Sequence, residues 1–169
     1  YIDDSRFADS RIPDGWIWQD IGNYYGAGAG ALNWRENQYD LVLSSGSRIG
    51  DPVEIKLIKP YIYGGHEMIS ELKSASKGSG DNAYIYLPLG HQPSVVRGTI
   101  PVNENSFTIS GAWVDPAEEF RQRILDTLQK TGLTSLFDVK NINQGGQEFE
   151  PITKDNAVLF HTVYSPTLD

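Results

Sequence analysis

Two alternating stretches, Ser94–Val102 and Ser106–Val114, flank Asn103-Glu104-Asn105 and run straight into a segment with both a helix start and a helix stop. In the second stretch Phe107, Ile109 and Trp113 share one face, while Thr108, Ser110 and Ala112 share the other. A period of two puts alternate side chains on opposite sides of a strand, and a short polar connection between two such runs predicts a hairpin. Asp115 can cap free helical amides, Pro116 suits the first helical position, and Glu118 completes a capping box. Glu118 and Glu119 also face the positive end of the helix dipole. Phe120, Ile124, Leu125 and Leu128 form one apolar stripe, and Gly132 stands where a helix stop belongs. This order predicts a strand-dominated α+β fold, an antiparallel sheet with one long helix packed on it through Phe120, Ile124 and Leu128.

The rest of the chain fills in that plan. Tyr39 to Leu43 reads as a strand. Val53-Glu54-Ile55-Lys56-Leu57 alternates, with Val, Ile and Leu on the buried side. Met68 to Ala75 reads as a short helix with Met68, Ile69 and Leu72 on one side, and Tyr84 to Leu87 as a strand. After the helix come a strand at Leu136 to Val139, a loop at Asn141 to Gln147 and a last strand at Val158 to Tyr164. Residues 1–35 make an irregular arm rich in Gly and aromatics, 36–114 are mainly β, and 115–169 are helix then strands. A chain of 169 residues suits a single domain spanning 1–169. The run from Gly26 to Ala31 lacks side chains for a core and suits close backbone packing or an excursion. Trp16, Trp18, Tyr24, Tyr25 and Trp34 would pin the arm to its own domain or to a neighbour, and are the candidate interface residues.

The chain has no cysteine, which removes disulfides, thiolate metal sites and cysteine nucleophiles. A formal net charge of −8 argues against nucleic acid and anionic membrane as partners. No apolar run is long enough to span a bilayer. The chain begins at Tyr1 rather than Met, which is compatible with processing.

Motifs for chemistry are sparse. His66, His91 and His161 lie far apart, none at a metal-ligand spacing. Asp81-Asn82 follows a Gly-rich loop but lacks a graded series of calcium ligands. Ser44, Ser45, Gly46 and Ser47 resemble part of a nucleophile elbow without its strand-turn-helix setting, and the glycines at 26, 28 and 30 precede no helix. Asp3-Asp4 and Glu118-Glu119 read as solvated faces or helix starts. Trp113 and Trp34 could form a sugar platform or lie in the core. No catalytic residue, metal or cofactor is expected.

Two resemblances suggest functions. Ala8-Asp9-Ser10-Arg11 followed by Pro13-Asp14, then Ser44-Ser45, then Glu148-Phe149-Glu150, resembles the order of motifs in toxin mono-ADP-ribosyltransferases. That would imply Arg6 or Arg11 holding dinucleotide phosphates and Glu150 stabilising an oxocarbenium-like ribose. The family's arginine position, however, is Phe7 here, and Arg6 points to the opposite strand face. The second resemblance spans Phe107 to Tyr164. A strand, the capped helix Pro116–Thr131 ending at Gly132-Leu133, a short strand, Phe149-Glu150-Pro151 and a strand opened by Asp155-Asn156 are similar to small phage tail-completion and terminator proteins. It implies a non-enzymatic virion tail or neck protein, homo-oligomeric, contacting itself and neighbouring structural proteins, located in a virion or outside the cell. A secreted carbohydrate-binding module is the alternative, and an ADP-ribosyltransferase-like enzyme the third reading.

Overall fold

Strand β1 (Gln38–Ser44) organises the core, because its alternation is complete: Tyr39, Leu41 and Leu43 are buried and the residues between them half-buried. The computed structural model describes residues 12–62, 67–90 and 93–132, and all of these but Gly132 belong to one compact unit. Strands β2 (Glu54–Lys59), β3 (Met68–Ser70), β4 (Lys73–Ala75), β5 (Asn82–Tyr86), β6 (Ser94–Pro101) and β7 (Phe107–Ala112) follow. Helix α1 (Trp18–Ile21) precedes them, helix α2 (Pro116–Lys130) comes after, and strand outweighs helix. The expected α+β class is what forms.

Sheet A is antiparallel, in the order β2-β1-β7. Its register against β2 shifts between Val42 and Leu43, which pair with Leu57 and Ile55 and leave Lys56 as the extra residue. A bulge of this kind reverses which side chains face inward. Val53 stays buried and Ile58 packs against the core, but Leu57 turns outward and is 47% exposed. The expected alternation Val53, Ile55, Leu57 therefore breaks after Ile55.

Sheet B is mixed. β6 pairs antiparallel with β5 on one edge and parallel with β3 and β4 on the other. Glu71 N donates to Val96 O between the two short strands, so residues 68–75 act as one interrupted strand. The helix expected there does not form. Val53 N bonds to Leu72 O and Ser70 Oγ to Val53 O, which commits this backbone to strand partners on both sides.

β6 and β7 are both strands, yet they do not form the expected hairpin. β7 pairs with β1 in sheet A, and β6 lies in sheet B. The connector decides this: Asn103 N bonds to Gly46 O, Ser45 N to Glu104 O, and Glu104 N to Ser45 Oγ. Tied to the end of β1, with Asn103 at φ +61°, the chain leaves one sheet and enters the other. The inward residues of both sheets meet in one core of Tyr39, Leu41, Leu43, Val53, Leu72, Ile85, Val96, Ile100, Ile109 and Trp113. Burying such side chains contributes about 1.5–3 kcal/mol each, which makes this cluster the main source of stability.

α2 starts as the sequence requires. Asp115 Oδ1 accepts from Glu118 N at 3.0 Å, with Pro116 in the first turn. The Glu118 carboxylate takes Arg121 and Gln122. The seat of the helix differs from expectation: Pro116, Ala117 and Glu119 are buried, Phe120 meets Trp34, and Ile124 is 43% exposed. Gly132, at φ +72°, follows the helix end in the left-handed region that favours glycine. The strands expected at 136–139 and 158–164 lie outside the described residues.

Candidate functional site

The segment 16–26 carries the largest set of exposed rings. Trp16 is 40% exposed, Trp18 41%, Tyr24 55% and Tyr25 48%, so these side chains are available on the surface of the described unit. Trp18 Nε1 donates to Leu87 O at 3.0 Å, and its ring meets Tyr86 edge-on at 4.9 Å with planes at 63°. Tyr24 and Tyr25 sit edge to face at 5.2 Å. The fifth expected interface residue, Trp34, is half-buried. It packs against the core and Phe120, with the Arg35 and Arg123 guanidinium groups 5.8 and 5.6 Å from its ring.

The backbone of this segment is fixed on its own domain. Gly22 O accepts from Ala112 N on β7, and Asn23 forms a bridge with Gly111. The Asn23 side chain turns the other way and accepts from Ile85 N on β5. Close approach requires glycine twice. A Cβ on Gly22 would lie 2.0 Å from Ile85 O, and one on Gly26 would lie 2.1 Å from Asp20 O. Of the two expectations for the glycine run, close backbone packing holds at Gly26.

Beside these rings lies the outer face of sheet B. Ile85 points into the core, so Tyr84 and Tyr86 point out. Arg97 of β6, paired in register with Tyr84, lies 5.4 Å over the Tyr86 ring and donates to Glu71 at 2.6 Å. Glu71 holds the Arg97 pKa above its ordinary value. Burial, then Asp20, Tyr84, Tyr24 and Asp81 around it, raise the Tyr25 phenol. Trp18 thus meets Tyr86 beside Tyr84 on the outer face of β5, with the Arg97–Glu71 ion pair next to Tyr86. Tyr84 and Tyr86 were legible as alternate residues of a strand, whereas Arg97 and Glu71 join them only through sheet register.

The other polar groups are structural. Ser45 Oγ donates to Pro101 O at 2.6 Å and accepts from Glu104 N, so it holds a turn. Asp81 accepts from Ala83 N, and Asn82 donates to Ser79 O, closing the loop before β5. Buried Glu119 accepts from Arg123 at 2.7 Å, and Arg123 also donates to Tyr61 O, which anchors α2. Trp113 is buried 5.0 Å from Tyr39, so it belongs to the core. Burial pushes the Tyr39 phenol up, and it stays neutral there. Among the described residues no cluster of ligating side chains could hold a metal, and no helix is long and apolar enough to cross a membrane. His66, His91, His161, Arg6, Arg11 and Glu150 lie outside the described residues.

Residues 1–158 match the family described as D-Ala-D-Ala carboxypeptidase 3 (S13). The chain belongs to this family. A solved structure of penicillin binding protein 4 (dacB) from Haemophilus influenzae shares the fold, with a TM-score of 0.57 and 19% sequence identity over 77% of this chain. This chain spans 28% of the length of that structure's chain. No curated protein matches.

Membership of the S13 peptidase family overturns the reading of the chain as a non-enzymatic virion tail protein, and with it the phage tail-completion resemblance. The elements that suggested it, a strand and a well-capped helix, are generic local structures that recur on unrelated folds. Family membership likewise replaces the carbohydrate-binding module and the ADP-ribosyltransferase as whole-protein functions.

Penicillin-binding proteins work with Ser-x-x-Lys and Lys-Thr-Gly motifs. The sequence contains such strings at Ser70–Lys73, Ser74–Lys77 and Lys130–Gly132, and the structure assembles none of them into a site. Ser70 and Lys73 lie on β3 and β4, where a spacing of three points side chains to opposite faces rather than along one helix face. Ser74 is 2% exposed and its Oγ accepts from Gly46 N. Lys130 pairs with Asp126 at 2.6 Å in the last turn of α2.

Proposed function

We propose that this protein acts in cell-wall processing as part of a serine D-Ala-D-Ala carboxypeptidase. Family membership across residues 1–158 carries the reading. In such chemistry a serine attacks the peptide carbonyl before the terminal D-alanine, which leaves as its proton is supplied, and water then cleaves the acyl-serine. The described residues gather no nucleophile with a base, so the reacting serine is assigned to polypeptide outside them. The described unit then serves as a rigid body that carries surfaces for the substrate. The similarity to a penicillin binding protein extends the proposal to covalent capture of penicillin by that serine. A substrate in the wall places the site of action outside the cytoplasmic membrane.

The test uses the intact natural polypeptide. Release of D-alanine from a peptide ending in D-Ala-D-Ala, together with covalent labelling by a fluorescent penicillin, supports the proposal. Absence of both in folded protein removes it.

A further inference from the structure

We propose that strand β2 pairs edge to edge with β2 of a second copy of this chain, joining two sheets A into one of order β7-β1-β2-β2-β1-β7. Such pairing is independent of the carboxypeptidase reading. Other sheet edges are closed by the chain itself. Ala112 N of β7 donates to Gly22 O, β5 meets Asn23 Oδ1 and Trp18 Nε1, and Ser74 of β4 bonds to Gly50 and Asp51. Among the described residues, no strand and no backbone hydrogen bond from another segment meets the outer side of β2. An unpaired edge of this kind is a template for a further strand.

The bulge makes the facing of β2 symmetric. Residues opposite each other in a sheet share a face. Glu54, Leu57 and Lys59 therefore point outward with Ser44, Val42 and Asp40, while Ile55 and Ile58 point inward with Leu43 and Leu41. From either end the order is outward then inward, closing on Lys56 and Leu57 at the centre. Without the extra residue, Glu54 and Lys59 would lie on opposite faces. A two-fold axis through the centre sets Glu54 opposite Lys59 of the second copy, Ile55 opposite Ile58, and Lys56 opposite Leu57, and the outer pairs agree in face.

The chemistry is self-complementary in the same register. Each Glu54 carboxylate meets a Lys59 ammonium, and Ile55 with Ile58 carries the apolar layer across the seam. Leu57, 47% exposed in one copy, is covered by the aliphatic stem of Lys56 from the other. Lysines on an edge ordinarily repel a second strand, but here no lysine faces a lysine. A slip of one residue either way sets an inward Ile58 against Glu54 or an inward Ile55 against Lys59, so this register excludes its neighbours. Glu54 already meets Lys56 within the strand, with side chains 70% and 50% exposed, and exchanging that partner for Lys59 costs little.

Size sets the strength. A strand of 6 residues from each copy makes an interface below about 1,200 Å², the class of weak and reversible contacts. Half-association is expected between roughly 10 μM and 1 mM chain. The two-fold pairing uses up the open edge on both copies, so assembly stops at the dimer.

The experiment is sedimentation equilibrium of the 169-residue chain up to about 1 mM. The mass should rise with concentration from that of the monomer toward twice that value. Glu54→Lys and Lys59→Glu, each at an exposed position, should each weaken self-association roughly tenfold, because like charges then face across the axis. Mixed in equal amounts, the two variants should recover wild-type association, since opposite charges meet at both ends of the seam. Lys77→Glu, on the exposed loop between β4 and β5, makes the same change in net charge as Lys59→Glu and should leave association unaltered. Thermal transitions of all three variants check that they are folded. A chain that stays monomeric at 1 mM, association beyond the dimer, equal weakening by Lys77→Glu, or no recovery on mixing the folded charge variants would overturn the proposal.

Discussion

Asn23 Oδ1 accepts a hydrogen bond from Ile85 N at 2.9 Å, joining residues 62 positions apart inside the protein. Asn23 Nδ2 meanwhile donates to Gln19 O, and its backbone forms a bridge with Gly111 of β7. One residue, 4% exposed, therefore fastens the N-terminal segment to an edge of each sheet. The positions of Trp18, Tyr24 and Tyr25 follow from that attachment.

Asn23→Ala leaves Ile85 N buried without a partner. An orphaned buried donor costs about 1–3 kcal/mol, and the expected loss here is about 2 kcal/mol. Urea denaturation of the variant and wild type measures it. A loss below roughly 0.5 kcal/mol, the range of ordinary surface changes, would mean that water replaces the side chain.

Gly22→Ala should destabilise through overlap rather than loss of a bond. The new methyl would stand 2.0 Å from Ile85 O, and backbone on both sides must move. Overpacking of this kind costs about 1–3 kcal/mol. The thermal midpoint should fall, and the emission of Trp18 should shift as its bond to Leu87 O loosens.

The bulge in sheet A sets two neighbours apart. Ile58→Ala removes a side chain packed on the core and should cost about 1–2 kcal/mol, while Leu57→Ala, at a site 47% exposed, should stay within roughly 0.5 kcal/mol. Denaturant midpoints of the two variants decide the matter. The reverse order would show that the strand runs without its extra residue.

Glu118 gives a pH-dependent contribution. Arg121 donates to it twice, and this holds its folded pKa below the ordinary 4.5. A lowered carboxylate stabilises above its unfolded value and loses that contribution as pH falls through the folded one. Wild type should exceed Glu118→Gln by about 0.5 kcal/mol near neutrality, since the pair is partly exposed. The difference should close as the solution is acidified below 4.5, read by denaturation across pH. A difference that persists in strong acid would assign the effect to packing.

Ser70 tests whether a motif string without its geometry matters. Its Oγ donates to Val53 O at 2.6 Å, within a strand connection. On the carboxypeptidase reading, Ser70→Ala in the intact polypeptide should leave penicillin labelling and D-alanine release at wild-type levels. Abolished labelling would restore this serine as the nucleophile and remove the assignment of chemistry elsewhere.

Several features were legible because they depend on near neighbours. Asp115, Pro116 and Gly132 announce the ends of α2 through local backbone chemistry, and the alternation of Tyr39, Leu41 and Leu43 announces β1. The aromatic segment could be read as a surface, and Trp18, Tyr24 and Tyr25 are exposed. Trp34 could not be told from them, since its partners Phe120 and Arg123 lie more than eighty residues away in the chain. Asn23 carries no signal at all, because an asparagine beside glycine and tyrosine reads as an ordinary turn residue.

Residue order by itself determined which stretches could be strands, where the long helix begins and stops, and that the fold would be α+β with strands dominant. Only the tertiary structure decided which strands pair. β6 and β7 look like a hairpin until the connector bonds to Ser45 and Gly46, and residues 68–75 look helical until β6 and Val53 claim their backbone. The reason is physical: periodicity and capping are settled within a few residues, whereas strand pairing and the attachment of Trp18 and Asn23 beside β5 depend on hydrogen bonds between distant segments, which no local pattern encodes.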